Sequence, residues 1–230
     1  MSDVLLPERP GEQLLVVGRA AAAALDAGLR EAPAGPGADG VEDLLAELAG
    51  HDTAVAVLPT GAAGWEVACR ASAPVLLVPP GTGRLRFGRV LAPLDGTAPA
   101  GLAIPRVARF GPRDLLVLHV LDPSDPPRFW DQAAHAGEAW ADAFLARWCD
   151  HPTARLLVRS GRAADQVVAV AREERPDLVV LGWAQHSESP RAPVVRRVVA
   201  DADVPVLLVP VGGQVPGPST LRTDPPTALP

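Results

Sequence analysis

The sequence predicts an α/β fold built on parallel sheets, and three observations carry that expectation. The first is the stretch Asp177–Pro210, DLVVLGWAQHSESPRAPVVRRVVADADVPVLLVP, which reads as a buried strand, a loop, an amphipathic helix and a second buried strand. Its apolar run Leu178–Leu181 is short and β-branched, whereas Val194, Val195, Val198 and Val199 recur at helical spacing with Arg196, Arg197 and Asp201 turned to water. A right-handed βαβ crossover needs a parallel sheet, and ligands on such sheets bind beyond the carboxyl ends of the strands, here from Gly182 onward. The second observation is that Asp52–Pro79 repeats this unit in reduced form and ends in the same hexapeptide, PVLLVP, at 74–79 and 205–210. A repeat of this length predicts two homologous halves, the first with a shorter loop and helix start. The third is the alternation of short apolar runs with helix-capable segments along the rest of the chain.

In order, the chain opens with a polar, proline-bearing lead to Gln13. Leu14–Val17 is then expected as a strand, Ala20–Arg30 as a helix interrupted by Gly28, and Ala32–Gly40 as a Pro/Gly loop. Val41–Leu48 carries Val41, Leu44, Leu45 and Leu48 on one helical face, followed by a strand at 54–58, a short helix near 64–72 and a strand at 75–78. Residues 1–80 are therefore expected to form a truncated domain of about three strands, 81–88 a linker, 89–211 a complete domain and 212–230 a disordered tail. Within 89–211, Val90–Leu94 is a strand running into the turn Asp95-Gly96-Thr97, ahead of a helix-capable Pro99–Phe110. Leu115–Leu121 is a strand, Phe129–Cys149 a helix with Trp140, Phe144 and Trp148 at four-residue spacing, Leu156–Val158 a strand and Ala163–Glu174 a helix.

Composition narrows the function classes. A net charge of −6 and a pI near 5.3 argue against an electrostatic nucleic-acid or membrane surface. All 21 basic residues are Arg, so a P-loop lysine and Schiff-base chemistry are excluded. Cys69 and Cys149 give neither a disulfide framework nor a zinc cluster. No apolar run reaches the ~18 residues of a membrane span, and a reducing cytoplasm is the expected location.

VLAPLDGT (90–97), LLVLHVLD (115–122), PDLVVLG (176–182) and VVRRVVADADVPVLLVP (194–210) stand in the order seen in universal stress proteins. The second domain resembles that family over about 89–211, and the first resembles a truncated copy. The resemblance implies a Rossmann-like sheet of the adenine nucleotide alpha hydrolase type, with strand order 3-2-1-4-5, and in many members an ATP site. It places Asp95 and Thr97 at the nucleoside, Val120 at the strand end whose backbone reads adenine, and Gly182 at the first position of the phosphate loop.

That loop, of pattern G-2x-G-9x-G-[S/T], is eroded. Gln185 replaces the second glycine, and Val195-Arg196 stands at the final Gly-Ser/Thr. A β-branched Val resists positive φ and fills space that a phosphate needs. In the first half Gly61 and Gly64 keep the spacing, but Pro74-Val75 occupies the final position. ATP binding is therefore expected to be lost or weakened, and no cofactor is expected; the alternative is ATP or AMP, with Arg191, Arg196 and Arg197 gripping the anion and a weak hydrolase activity.

Each candidate has a plainer reading. Asp95 suits a turn that caps the next helix. His119 suits a strand-end structural histidine, and the Trp140, Phe144 and Trp148 stripe suits core packing. The three arginines suit a solvated helix face. His51, His135, His151 and His186 show no metal spacing. With no catalytic motif, the preferred expectation is a non-catalytic stress-response or regulatory protein acting through an unidentified protein partner. The two PVLLVP strands are expected to pair antiparallel as an intrachain pseudo-dimer, with a homodimer permitted but not required.

Overall fold

The computed structural model of the protein describes residues 2–32, 38–83, 85–121, 137–185 and 192–211. Among them, β1 (Asp3–Pro7), α1 (Glu12–Leu25), β2 (Gly28–Ala32), α2 (Ala38–Gly50), β3 (Thr53–Pro59), α3 (Ala62–Arg70) and β4 (Val75–Val78) come first. Then follow β5 (Arg89–Pro93), the short helices α4 (Ala98–Gly101) and α5 (Ile104–Ala108), β6 (Asp114–Leu121), α6 (Gly137–Trp148) and β7 (Ala154–Ser160). The chain continues through α7 (Ala163–Glu174), β8 (Leu178–Trp183), α8 (Ala192–Asp201) and β9 (Val206–Pro210).

All nine strands form one sheet, in the order β2-β1-β3-β4-β9-β8-β5-β6-β7. Every pairing is parallel except β4 with β9, where Val75 faces Leu208, Leu76 faces Leu207 and Leu77 faces Val206. That register is symmetric about the Leu76–Leu207 pair, because these two leucines hold the same position in the two PVLLVP segments. The prolines at either end lack an N–H and so bound the ladder.

Helices cover both faces. Side chains of α2, α3, α7 and α8 close one apolar cluster, and those of α1, α4, α5 and α6 close the other. The strands between them read as near-continuous apolar runs, as a sheet buried on both sides requires. Leu85 and Phe87 of the expected linker are buried in the second cluster, and the Phe87 ring lies 4.6 Å from that of Phe110. Leu85 and Phe87 thus pack into the core, with Arg86 between them exposed.

Three expectations for the amino-terminal region are corrected. Leu14–Val17 is not a strand but lies within α1. Val17, Gly18, Ala21 and Ala22 form the buried stripe of this helix, and Gly18 does not interrupt it but lets the helix lie close on Leu6 of the sheet, where an added Cβ would stand 3.0 Å from the leucine side chain. The missing strand is Asp3–Pro7, inside the stretch read as a polar lead; its Val4, Leu5 and Leu6 are fully buried, and it sits between β2 and β3. The helix expected to reach Arg30 stops at Leu25. Asp26 takes the left-handed conformation at φ 50° and donates its N–H to Ala22, which frees Gly28–Ala32 to join the sheet as β2. Residues 2–78 therefore hold four strands rather than three. The expected tail, 212–230, and the first part of the expected Phe129–Cys149 helix lie outside the described residues.

Arg89, Asp114, Arg155 and Glu174 tie the amino ends of β5, β6 and β7 to the last turn of α7, with Arg89 Nε to Asp114 Oδ2 at 2.7 Å and Arg155 Nε to Asp114 Oδ1 at 3.1 Å. Burial pushes the Asp114 carboxyl up, but the hydrogen bonds from Arg155 and Arg89 outweigh it and hold the group below its ordinary range. This network lies at the opposite end of the sheet from the cleft described next.

Candidate functional site

At the carboxyl ends of β5, β6 and β8 the chain leaves a cleft of about 100 Å³. It lies where crossovers from adjacent strands go to opposite faces: the chain after β5 enters α4 and α5 on one face, and that after β8 enters α8 on the other. Asp95, Val120 and Gly182 all line it, so these three sequence candidates come together. Thr97 is not among the lining residues. It holds Asp95 instead: the Thr97 N–H and Oγ–H both donate to Asp95 Oδ1, at 3.1 and 2.7 Å. This is an Asx turn leading into α4, and Gly96 within it takes φ 76°, a conformation that favours glycine.

The rest of the lining is apolar. Leu94, Leu118, Val167 and Leu181 form the floor, and Ala163 and Ala100 come from the first residue of α7 and from α4. Val194 and Val195, near the start of α8, close another side; Val195 is buried. Sequence reasoning singled out Val195 but not Leu94, Ala100, Ala163 or Val167. Only the fold brings these together, because they come from three separate places: the end of β5, α4 and α7.

Gln185 occupies the position of the loop's second glycine, and it keeps the glycine-like backbone at φ 61°. Its side chain turns away to the amino-terminal region, where Nε2 donates to Ala68 O at 3.3 Å and Ala71 O at 2.6 Å. These are carbonyls at the end of α3, which a helix leaves without partners. Beside this contact the buried Trp183 ring meets that of Trp65 at 5.4 Å, and the Arg196 guanidinium stands 5.9 Å above Trp65. Among the described residues the Trp183 indole N–H has no nitrogen or oxygen acceptor; Cys69, whose thiol is pushed up by burial against the opposing pull of Arg196, is its neighbour and offers only a weak sulfur acceptor.

The equivalent loop after β3 is built differently. A Cβ on Gly64 would stand 2.4 Å from the carbonyl oxygen of Pro59, so this glycine lets α3 approach its own strand. Gly61 is extended and has open space around it.

The other candidates that lie among the described residues make local contacts. His119 Nδ1 lies 2.9 Å from Leu94 O, and its ring packs 4.9 Å from Phe144 and 5.7 Å from Trp140. Phe144 is buried, with Trp140 and Trp148 packed against the same cluster. Arg197 pairs with Asp201 at 2.7 Å. His51 lies against Glu47 and His151 against Thr153, while Arg191, His135 and His186 lie outside the described residues. Among the described residues no cluster of three His, Cys, Asp or Glu side chains could hold a metal, and no helix is long and apolar enough to cross a membrane.

A mostly parallel sheet with a cleft at its crossover point defines a Rossmann-like α/β architecture. Within that class the chain belongs to the universal stress protein family, whose family profile matches residues 86–210. Universal stress protein C of Salmonella typhimurium is 36% identical over 70 residues, 30% of this chain and 49% of the relative, so the chain spans about half the length of that curated protein. A universal stress protein from Archaeoglobus fulgidus shares the fold with a TM-score of 0.67 at 13% identity, over 92% of this chain and 100% of that one. A functionally unknown protein from Pseudomonas aeruginosa shares it with a TM-score of 0.59 at 12% identity, over 90% of this chain and 80% of the other.

Proposed function

We propose that this member of the family is a tandem universal stress protein that acts without catalysis, as a stress-response or regulatory protein in the cytoplasm, with ATP binding lost or weakened. The observation that carries the reading is the engagement of Gln185 by Ala68 and Ala71. A phosphate loop works by turning free backbone N–H groups on the anion, and here its central residue is tied to another helix. Two further features support it. Val194 and Val195 line the cleft on the side of α8, and no basic side chain is among its described lining. A triphosphate placed there would shed its hydration with no countercharge from those side chains.

The alternative, an adenine-nucleotide site in which arginines replace the glycines, is less well supported. Arg196 lies over Trp65 and Arg197 pairs with Asp201, and neither lines the cleft. On the preferred reading the β4–β9 ladder is an intrachain pseudo-dimer joint, and the partner is another protein rather than nucleic acid or membrane. Calorimetry with ATP tests the reading. A dissociation constant weaker than ~1 mM, about 4 kcal/mol, is expected; micromolar binding, or an adenine nucleotide retained in native mass spectra of freshly purified protein, overturns it.

A further inference from the structure

Arg70, Arg89, Arg155, Arg159 and Arg197 each meet a carboxylate, as expected of a chain with 27 acidic against 21 basic residues. Arg86, Arg106, Arg109 and Arg113 do not. All four are exposed, and none has an ion pair or a side-chain hydrogen bond among the described residues. They belong to one patch. Arg106 in α5 and Arg109 just after it line the same narrow crevice, of about 10 Å³, with Leu25 of α1, Pro74, Phe110 and Leu207. The rings of Phe87 and Phe110, with centroids 4.6 Å apart, set the segment of Arg86 against that of Arg109, and the Arg113 N–H donates to Gly88 O at 2.9 Å. Leu102, 59% exposed, stands just ahead of α5. Arg86 and Arg113 closely precede β5 and β6, so the patch lies toward the amino ends of these strands, away from the cleft.

We propose that this patch docks an acidic segment of a partner protein, seated along α5 with its carboxylates on Arg86, Arg106, Arg109 and Arg113 and an apolar side chain against Leu102. The proposal rests on the reading that the protein acts through a protein partner, and goes beyond it by naming the surface and the chemistry of what binds there. Four guanidiniums gathered without countercharge repel one another, and a carboxylate brought to any of them is held by two parallel N–H donors. The crevice is too narrow to admit a guest, so the segment lies across it. A nucleic acid fits less well, because the net charge of −6 repels a long polyanion and the exposed Leu102 offers a phosphodiester nothing.

Fluorescence anisotropy of a fluorescein-labelled Glu-Glu-Leu-Glu-Glu-Leu-Glu-Glu peptide, titrated with the full chain, tests the proposal. Saturable binding with a dissociation constant below about 100 μM at about 50 mM salt is expected. Arg106→Glu/Arg109→Glu is expected to weaken it about tenfold or more. Both side chains are exposed, so this variant should keep the wild-type melt; Arg86→Glu/Arg113→Glu removes the rest of the patch and serves if it does not. Arg162→Glu/Arg172→Glu makes the same charge change elsewhere on the surface and is expected to leave binding within about twofold. No saturable binding, equal loss in the two charge-matched variants, or a folded Arg106→Glu/Arg109→Glu that binds unchanged would overturn the proposal. So would an oligothymidine that binds tighter than the peptide and displaces it. ATP calorimetry separates this failure from that of the underlying reading. If the peptide fails and ATP stays weaker than ~1 mM, only the patch falls; if ATP binds at micromolar concentration, the reading beneath it falls, whatever the peptide does.

Discussion

Residues 2–78 and 89–210 solve the same packing problem with different parts. The later region orders its strands β9-β8-β5-β6-β7, and the earlier one β4-β3-β1-β2, so the earlier has one strand fewer and ends where the later continues to β7. After β2 the chain passes through α2 directly to β3, whereas after β6 it adds α6, β7 and α7 before reaching β8. The missing strand would lie at the outer end of the sheet, so its absence opens no gap in the core. The carboxyl ends of the strands differ in an instructive way. The earlier region has Gly61 and Gly64 and an open depression beside Trp65 and Arg196; the later has Gly182 with Gln185 and Val195 further on, and holds the cleft. Glycine spacing alone does not make a ligand site, because Gly64 is there to let α3 pack on Pro59.

The joint between the regions gives the largest expected effect. Leu208→Asp places a carboxylate opposite Val75, at a position now 1% exposed, and is expected to cost at least ~4 kcal/mol, lowering Tm by about 10 °C or more. A melt followed by circular dichroism measures this, and a variant that melts like the wild type would show that the ladder contributes little. Trp183→Ala is expected to cost about 3–5 kcal/mol by leaving a cavity beside Trp65, with a change in Trp65 fluorescence before the main transition.

Gln185 sharpens the comparison further. Gln185→Ala removes both contacts to α3 and is expected to cost about 1–2 kcal/mol in urea unfolding. Gln185→Gly is expected to cost less, because glycine relieves the left-handed backbone at φ 61°. Should the two variants prove equally unstable, that backbone carries no strain. Asp95→Ala, which breaks the Asx turn with Thr97, is expected to cost about 0.5–1 kcal/mol in urea unfolding.

The smallest effect is set by pH. The Asp114 carboxyl is held below its ordinary value in the fold. Its contribution is therefore present above the unfolded value of about 3.9 and is lost as pH falls through the lower folded one. The stability gap between wild type and Asp114→Asn, measured by urea unfolding, is expected to be wider at pH 6 than at pH 3. The Cys149 thiol shifts the other way, pushed up to about 11 by burial and by Asp150. It favours the fold below its unfolded value near 8.5 and loses that contribution as pH rises through about 11.

The later region was legible because its periods are clean. Val194, Val195, Val198 and Val199 repeat at helical spacing, and Leu178–Leu181 is a β-branched run set off by Asp177. The amino terminus misled for a local reason. Leu14-Leu15-Val16-Val17 is as apolar and β-branched as a strand, and only its continuity with the alanines to Ala24 marks it as helix, while the true strand, DVLLP, is five residues ending in proline. That Asp95, Val120 and Gly182 lie together was legible because each stands at a strand end within a motif. The tie from Gln185 to α3 spans 117 and 114 residues and depends on two loops meeting in space, which no local pattern records.

The β4–β9 ladder matches three residue pairs, few for a contact between independent molecules. Carried on one polypeptide, with the short stretch 79–88 leading out of β4, the two strands meet at an effective concentration in the millimolar range, which dilution does not lower. A joint carried on one polypeptide therefore persists at any expression level. Each side of it is also free to change sequence without the other, which separate identical subunits can never do.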